Sequence, residues 1–124
     1  MPPTLRRVLV VDDEPAICKL VQEHFRGKYA VETVPNGAQA LGVVTRSRPD
    51  LILLDIHLPG LDGVNLLKAF KELAAEVPVV VITGYADPGV EEESRGHGAS
   101  GFLRKPFDLR ELDEVVATAL GEPR

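Results

Sequence analysis

The sequence predicts an α/β fold, a doubly wound (βα)5 sandwich around one parallel sheet with strand order 2-1-3-4-5. Five short apolar segments occur along the chain, and segments with helical hydrophobic spacing separate them. The apolar residues of each strand segment are consecutive, which is typical of strands buried on both faces. Strands and helices that alternate in this way form a parallel sheet covered on both sides, and right-handed crossovers leave few topologies.

Each strand segment is bounded by polar or turn-forming residues. The predicted strands are residues 8–11, 29–34, 51–54, 79–82 and 101–104. Pro15 suits the first turn of helix one, and the PNG sequence at residues 35–37 separates strand two from helix two. Helix three is expected from about Gly63, and Asp108 is a suitable N-cap for helix five. Gly60 and Gly63 are expected to serve the turn after strand three through a positive φ, which is cheap only for glycine.

Helix four, expected over residues 87–98, has the weakest helical pattern in the chain. Val90 is its single strong apolar residue, and the segment contains three glycines. Each interior glycine costs roughly 0.5–1 kcal/mol of helix stability. We therefore predict a short, mobile or displaced fourth helix.

The composition bounds the class of protein. At 124 residues the chain has room for one domain, which we place at residues 1–120, with residues 121–124 as a short tail or the start of a linker. The formal net charge of −5 argues against direct nucleic-acid binding. Its one cysteine, Cys18, excludes an internal disulfide and a cysteine-based zinc site. The first apolar run is too short for a signal peptide or a membrane span, so we expect a cytoplasmic location without membrane contact.

Polar side chains follow four of the five predicted strands. They are Asp12 and Asp13 after strand one, Asp55 after strand three, Thr83 after strand four and Lys105 after strand five. The carboxyl ends of parallel strands lie along one edge of the sheet, where ligands bind at the switch point in strand order. We therefore expect these side chains to converge on one small volume.

Three carboxylates in a small volume repel one another unless a cation joins them. Oxygen ligands with room for water favour Mg²⁺ or Mn²⁺ over zinc. On the other flank of Asp55, the Thr83 hydroxyl, the Gly84 backbone N–H and the Lys105 ammonium form a cradle for an oxyanion. A metal and a cradle around one carboxylate fit phosphoryl transfer to Asp55, with an aspartyl phosphate as the product.

Four segments carry a resemblance that covers nearly the whole chain. They are VLVVDDEP at 8–15, LILLDIHLPGLDG at 51–63, VVVITGYAD at 79–87 and GFLRKPF at 101–107. Together they resemble the CheY-like receiver domain of bacterial two-component response regulators, which has a flavodoxin-like fold. The resemblance implies that Asp55 is the phosphoacceptor, that Asp12 and Asp13 bind the metal, and that the backbone carbonyl of His57 is a further metal ligand.

The resemblance also implies a switch. Thr83 and Lys105 match the hydroxyl and the ammonium that bind the phosphoryl group, and Phe102 matches an aromatic residue that rotates inward when Thr83 moves. These changes remodel the face made of helix four, strand five and helix five. Because Phe102 has no hydroxyl, its role must rest on packing. The Lys105-Pro106 bond resembles the family's cis peptide.

The chain's activity and partners follow from the same resemblance. It implies a phosphoacceptor that is not an enzyme, with at most slow self-phosphorylation from small donors and slow autodephosphorylation. The phosphoryl group comes from a sensor histidine kinase or a phosphotransfer protein, and the signal passes to a downstream effector or to an output domain. The expected assembly is a monomer or a phosphorylation-dependent dimer. Exposed side chains at His57 and Tyr85 are expected to tune dephosphorylation.

Two other functions compete with this interpretation. A haloacid dehalogenase-like phosphohydrolase also uses an aspartate nucleophile and Mg²⁺, but it needs Asp-x-Asp after the first strand and usually a cap domain. This chain has Asp12-Asp13 at that position and no residues for a cap. A receiver-like interaction module without phosphorylation would have lost an acid, Thr83 or Lys105, and all of them are present.

Overall fold

The computed structural model describes residues 4–58, 62–84 and 88–122, and in them five strands alternate with five helices. The strands are β1 (Arg7–Val11), β2 (Ala30–Val34), β3 (Leu51–Asp55), β4 (Val79–Thr83) and β5 (Gly101–Arg104). The helices are α1 (Pro15–His24), α2 (Gly37–Arg46), α3 (Gly63–Leu73), α4 (Pro88–Gly96) and α5 (Leu109–Leu120). All strand pairs are parallel and their order is β2-β1-β3-β4-β5, which confirms the predicted fold.

Helices cover both faces of the sheet, which explains the uninterrupted apolar runs. Leu9 and Val11 of β1 belong to a core cluster with residues of α2 and α3, whereas Val8 and Val10 belong to a second cluster with residues of α1 and α5. All five residues of β3 and all five of β4 are buried. Burial of one aliphatic side chain contributes about 1.5–3 kcal/mol, so the central strands are firmly fixed.

Side chains of Asn36, Asp62 and Asp108 cap the N-termini of α2, α3 and α5. Asn36 accepts a hydrogen bond from the Gln39 N–H at the start of α2. The predicted cap of α5 is confirmed, since Asp108 forms a reciprocal capping box with Glu111. Pro15 opens α1 as predicted. Each helix in the described part of the chain is too short or too polar to cross a membrane.

The fourth helix is continuous over nine residues, one fewer than α1 and α2, so it spans most of the predicted segment and is not markedly short. The prediction that interior glycines reduce the stability of this helix was wrong. Gly89 lies in the first turn, Gly96 is the last residue, and Gly98 follows the helix with a φ of +94°. Glycine near a helix end costs little, because it interrupts no internal turn. The mobility and the displacement expected for α4 remain predictions.

The prediction that Gly63 is needed for a positive φ was also wrong. Gly60, for which the same was predicted, lies outside the described residues. Gly63 does not have a positive φ. Instead, a Cβ at Gly63 would lie 2.2 Å from the backbone oxygen of Ile56, which belongs to the loop after β3. Glycine is therefore required because α3 begins against the loop that follows Asp55.

We expect Gly63→Ala to lower the free energy of unfolding by about 3 kcal/mol, because the loop or the helix must shift to admit the methyl group. Urea unfolding measures this loss. Gly96→Ala is the matched control, because its Cβ would have no atom within 4 Å. Equal unfolding free energies for the two variants would contradict the assignment.

Candidate functional site

Strand register brings the predicted side chains together at the carboxyl edge of the sheet. Val11 pairs with Leu54, so the next residue of each strand places Asp12 beside Asp55. On the other side of β3, Asp55 pairs with Ile82, which precedes Thr83. The edge predicted from sequence is therefore the edge observed.

The acidic residues form one cluster. Carboxylate oxygens of Asp12, Asp13 and Asp55 lie within 4.8 Å of one another. Asp12 and Asp55 are buried, whereas Asp13 is exposed. The backbone N–H of His57 donates to Asp55 Oδ1 at 2.9 Å, and the N–H of Glu14 donates to Asp12 Oδ1 at 2.9 Å. Backbone donors therefore hold both buried carboxylates in place.

Lys105 supplies the cluster with a positive charge. Its Nζ lies 3.0 Å from Asp12 Oδ2, 2.5 Å from Glu14 Oε1 and 3.2 Å from Asp55 Oδ2. The predicted cis peptide bond between Lys105 and Pro106 is confirmed. The Lys105 backbone N–H donates to the Thr83 carbonyl at 2.7 Å, which ties the start of this loop to β4.

The pKa values of two groups reflect this balance of charge. Burial raises the pKa of Asp12 above its usual range, against the hydrogen bonds from Glu14 and Lys105 that lower it. Burial lowers the pKa of Lys105, but hydrogen bonds to Glu14 and Asp12 outweigh it and raise the net pKa. One ammonium thus contacts three carboxylates, and Asp13 adds a fourth nearby, an excess of negative charge that suits a further cation.

On the side of Asp55 where an oxyanion would bind, the Thr83 hydroxyl is a potential hydrogen-bond donor. Thr83 is buried, and its hydroxyl has no hydrogen-bond partner among the described residues. A buried hydroxyl without a partner costs about 1–3 kcal/mol, so a ligand oxygen there would recover this cost. Gly84 follows it and is exposed, and a Cβ at Gly84 would have no atom within 4 Å. This side of Asp55 is open to a ligand.

A cleft of about 700 Å³ lies over these residues. Asp55, His57 and Lys105 line its polar part. The apolar side chains around it are Ile17, Leu20, Pro106 and Phe107. This volume admits a small phosphodonor or the side chain of a partner protein.

The structure describes two of the three residues that are expected to tune or switch the site. His57 is exposed beside Asp55, as predicted. Tyr85 lies outside the described residues. Phe102 is partly buried against the core, and the guanidinium carbon of Arg95 lies 4.9 Å from the centre of its ring.

The sequence reasoning missed Glu14 and the contacts of α4 with β5. Glu14 is the third acid of the DDE sequence after β1, and this position alone did not show that its side chain turns toward Lys105. Arg95 and Glu91 are four residues apart and therefore on one helix face, but their partners on β5 depend on how α4 packs.

Comparison with known proteins identifies the family. Residues 8–117 match the response regulator receiver domain. The chain is 39% identical over 111 residues to the sporulation initiation phosphotransferase F of Bacillus subtilis, which covers 89% of this chain and 90% of the relative. It is 40% identical over 120 residues to the transcriptional regulatory protein PrrA of Mycobacterium tuberculosis, covering 94% of this chain and 51% of that protein. Thus it spans about half the length of that relative.

A crystal structure shows the same fold. The CheY-like receiver domain protein of Methanospirillum hungatei superposes with a TM-score of 0.89 at 31% identity, with 95% of each chain covered. These matches favour a receiver domain over a haloacid dehalogenase-like phosphohydrolase. The chain belongs to the response regulator receiver domain family, the phosphoacceptor signalling domains of two-component systems.

Proposed function

We propose that this domain accepts a phosphoryl group on Asp55 and transmits the signal through the face formed by α4, β5 and α5. The observation that supports this most is the position of Asp55. It ends the buried central strand β3, with the acids of β1 on one flank and Lys105 and Thr83 on the other. An oxyanion cradle and a cation site thus flank the carboxylate that would act as the nucleophile.

In the proposed step, a carboxylate oxygen of Asp55 attacks the phosphorus of a phosphohistidine on a sensor kinase or phosphotransfer protein. A phosphorus–oxygen bond forms, the phosphorus–nitrogen bond breaks, and the departing imidazole takes a proton from solvent. With acetyl phosphate, a phosphorus–oxygen bond breaks and acetate leaves. Lys105, the Thr83 hydroxyl and the Gly84 N–H would bind the transferred oxygens. We propose slow self-phosphorylation from small donors and slow autodephosphorylation as the domain's own chemistry.

We propose that Asp12, Asp13, Asp55 and the backbone carbonyl of His57 would hold Mg²⁺ or Mn²⁺. The fit rests on the donor set, since three carboxylates with oxygens within 4.8 Å of one another provide hard ligands. The excess of negative charge around Lys105 supports the same conclusion. Bound Mg²⁺ would neutralise charge on the oxygens of the phosphoryl group.

The phosphodonor partner would dock over the cleft. Apolar side chains of α1 and of the loop before α5 surround it, including Ile17, Leu20 and Phe107. Apolar contact around a polar centre is typical of protein interfaces, so we propose that a sensor histidine kinase or a phosphotransfer protein buries this rim. The exposed side chain of His57 would then act after transfer, by tuning how water reaches the phosphoryl group, and we propose the same role for Tyr85.

The proposed switch runs from Thr83 to α4. Thr83 pairs with Arg104 across β4 and β5, so movement of Thr83 acts next to Arg104. Arg104 forms an ion pair of 2.7 Å with Glu91 of α4. Two positions earlier on β5, Phe102 lies under Arg95 of the same helix. Inward rotation of Phe102 would remove the contact with Arg95 and loosen α4.

By contrast, polar contacts fix α5 to the rest of the domain in its second turn and just beyond its C-terminus. His24 of α1 contacts Asp113 at 2.7 Å, and the Tyr29 hydroxyl donates to Glu122 at 2.5 Å. We therefore propose that α4 is the element that moves, and that a downstream effector or an output domain in a longer polypeptide reads its position. The assembly would be a monomer or a phosphorylation-dependent dimer.

Phosphorylation is tested by incubation with acetyl phosphate and Mg²⁺. We expect the mass of one phosphoryl group to be gained by the wild type and not by Asp55→Asn, because the amide has no nucleophilic oxygen of comparable strength. Intact-protein mass spectrometry measures the gain. Asp113→Asn on α5 is the control and should be phosphorylated normally. An equal gain by Asp55→Asn would refute the acceptor assignment.

Metal binding is tested without a phosphodonor. We expect Mg²⁺ to raise the thermal midpoint of unfolding, because a ligand of the folded state stabilises it by about 2.7 kcal/mol at a hundred times its dissociation constant. Asp13→Asn should weaken Mg²⁺ binding at least about tenfold, and calorimetric titration measures this change. The exposed acid Glu92 of α4 offers a control, Glu92→Gln, which should bind Mg²⁺ like the wild type. Unchanged binding by Asp13→Asn would contradict the site.

The role of Arg95 is tested in the unphosphorylated domain. We expect Arg95→Ala to increase the population of the active conformation roughly two- to fivefold, because an exposed cation–π contact contributes about 0.5–1 kcal/mol. Backbone NMR shifts of β5 and α4 should move toward those of the beryllofluoride-bound wild type. Arg110→Ala on α5 removes the same charge and should leave these shifts in place. The same shift pattern in both variants would exclude a specific role for Arg95.

A further inference from the structure

The Lys105 ammonium lies among three carboxylates, of which Glu14 and Asp55 accept hydrogen bonds of 2.5 and 3.2 Å. Three carboxylate oxygens lie within 3.2 Å of its Nζ, those of Asp12, Glu14 and Asp55. An ammonium offers three donors. A phosphoryl oxygen on Asp55 that accepts from Lys105, as proposed above, therefore competes with these carboxylates for the same ammonium.

Burial decides which partner can leave at the lowest cost. The side chain of Asp12 is 0% exposed, so its carboxylate has no path to water when it leaves Lys105. Asp55 is the proposed acceptor and stays next to the phosphoryl group. The side chain of Glu14 is 55% exposed, and its carboxylate would return to water. Exposed ion pairs contribute little free energy, so this contact is the cheapest to break.

The backbone of Glu14 need not move in this exchange. Its N–H donates to Asp12 Oδ1, and its carbonyl accepts from the N–H groups of Ile17 and Cys18 in the first turn of α1. These bonds fix the main chain on both sides of the Cα atom. A change of side-chain rotamer therefore suffices to release Lys105, and neither the acidic cluster nor α1 is disturbed.

We propose that Glu14 is a positioning residue, an exchangeable counter-ion that holds Lys105 before phosphorylation and is displaced by a phosphoryl oxygen. The inference rests on the proposed phosphorylation of Asp55. The Glu14 carboxylate competes with the phosphoryl group for the same ammonium. It therefore lowers the affinity of the site for tetrahedral anions and slows its phosphorylation by small anionic donors.

The test compares Glu14→Gln, Glu14→Ala and the wild type, with Glu23→Gln as control. Glu23 is an exposed acid near the other end of α1, so this variant makes the same charge change away from the cleft. Beryllofluoride titration followed by ¹⁹F NMR gives the affinity, and mass spectrometry gives the rate of phosphorylation at a fixed acetyl phosphate concentration.

We expect both Glu14 variants to bind beryllofluoride about two- to fivefold more tightly and to be phosphorylated faster by a similar factor. Glu23→Gln should match the wild type. Because the ion pair is exposed, the difference should shrink as salt is added.

Several outcomes would overturn the proposal. Glu14→Gln values equal to those of Glu23→Gln would do so, and so would weaker binding by Glu14→Gln. Acceleration by Glu14→Ala alone would assign the effect to the space opened by the smaller side chain. If the wild type itself gains no phosphoryl group, the proposed function fails; if it does and Glu14→Gln changes nothing, only the role of Glu14 fails.

Discussion

The ammonium of Lys105 offsets the charge of carboxylates that the sheet brings together at its carboxyl edge. Asp12 and Asp55 are both buried, and burial of like charges at short distance is unfavourable without a counter-charge. Lys105 comes from the loop after β5, at the far side of β4 from Asp55. The positions of β1, β3 and that loop therefore depend on one another, and a change at Asp55 acts directly on Lys105.

The two helical layers are attached to the sheet in different ways. On the side of α1 and α5, apolar packing is reinforced by the contacts of His24 with Asp113 and of Tyr29 with Glu122. At the α4 end of the other layer, Glu91 and Arg95 reach Arg104 and Phe102 of β5 through largely exposed contacts. Exposed pairs contribute less than buried apolar area, so we expect α4 to be displaced more easily than α5.

Two details of the fold show where sequence patterns lose their predictive value. The sequence pattern predicts interior glycines in α4, but Gly89 and Gly96 lie at the ends of the helix and Gly98 lies beyond it. Gly63 was explained by backbone conformation, whereas its neighbour Ile56 excludes a Cβ by direct contact. Helix boundaries and close approaches depend on packing between segments distant in sequence, and local propensity does not report them.

The sequence alone predicts the strand and helix order, the residues at each strand end and hence the site at the carboxyl edge. It could do so because apolar runs record burial on both faces, and parallel strands bring their carboxyl ends together. Tertiary structure decided that Glu14 shares Lys105 with Asp12 and Asp55, and that α4 holds Phe102 through Arg95. Those contacts join side chains from different elements, and their distances depend on how helices and loops pack on the sheet.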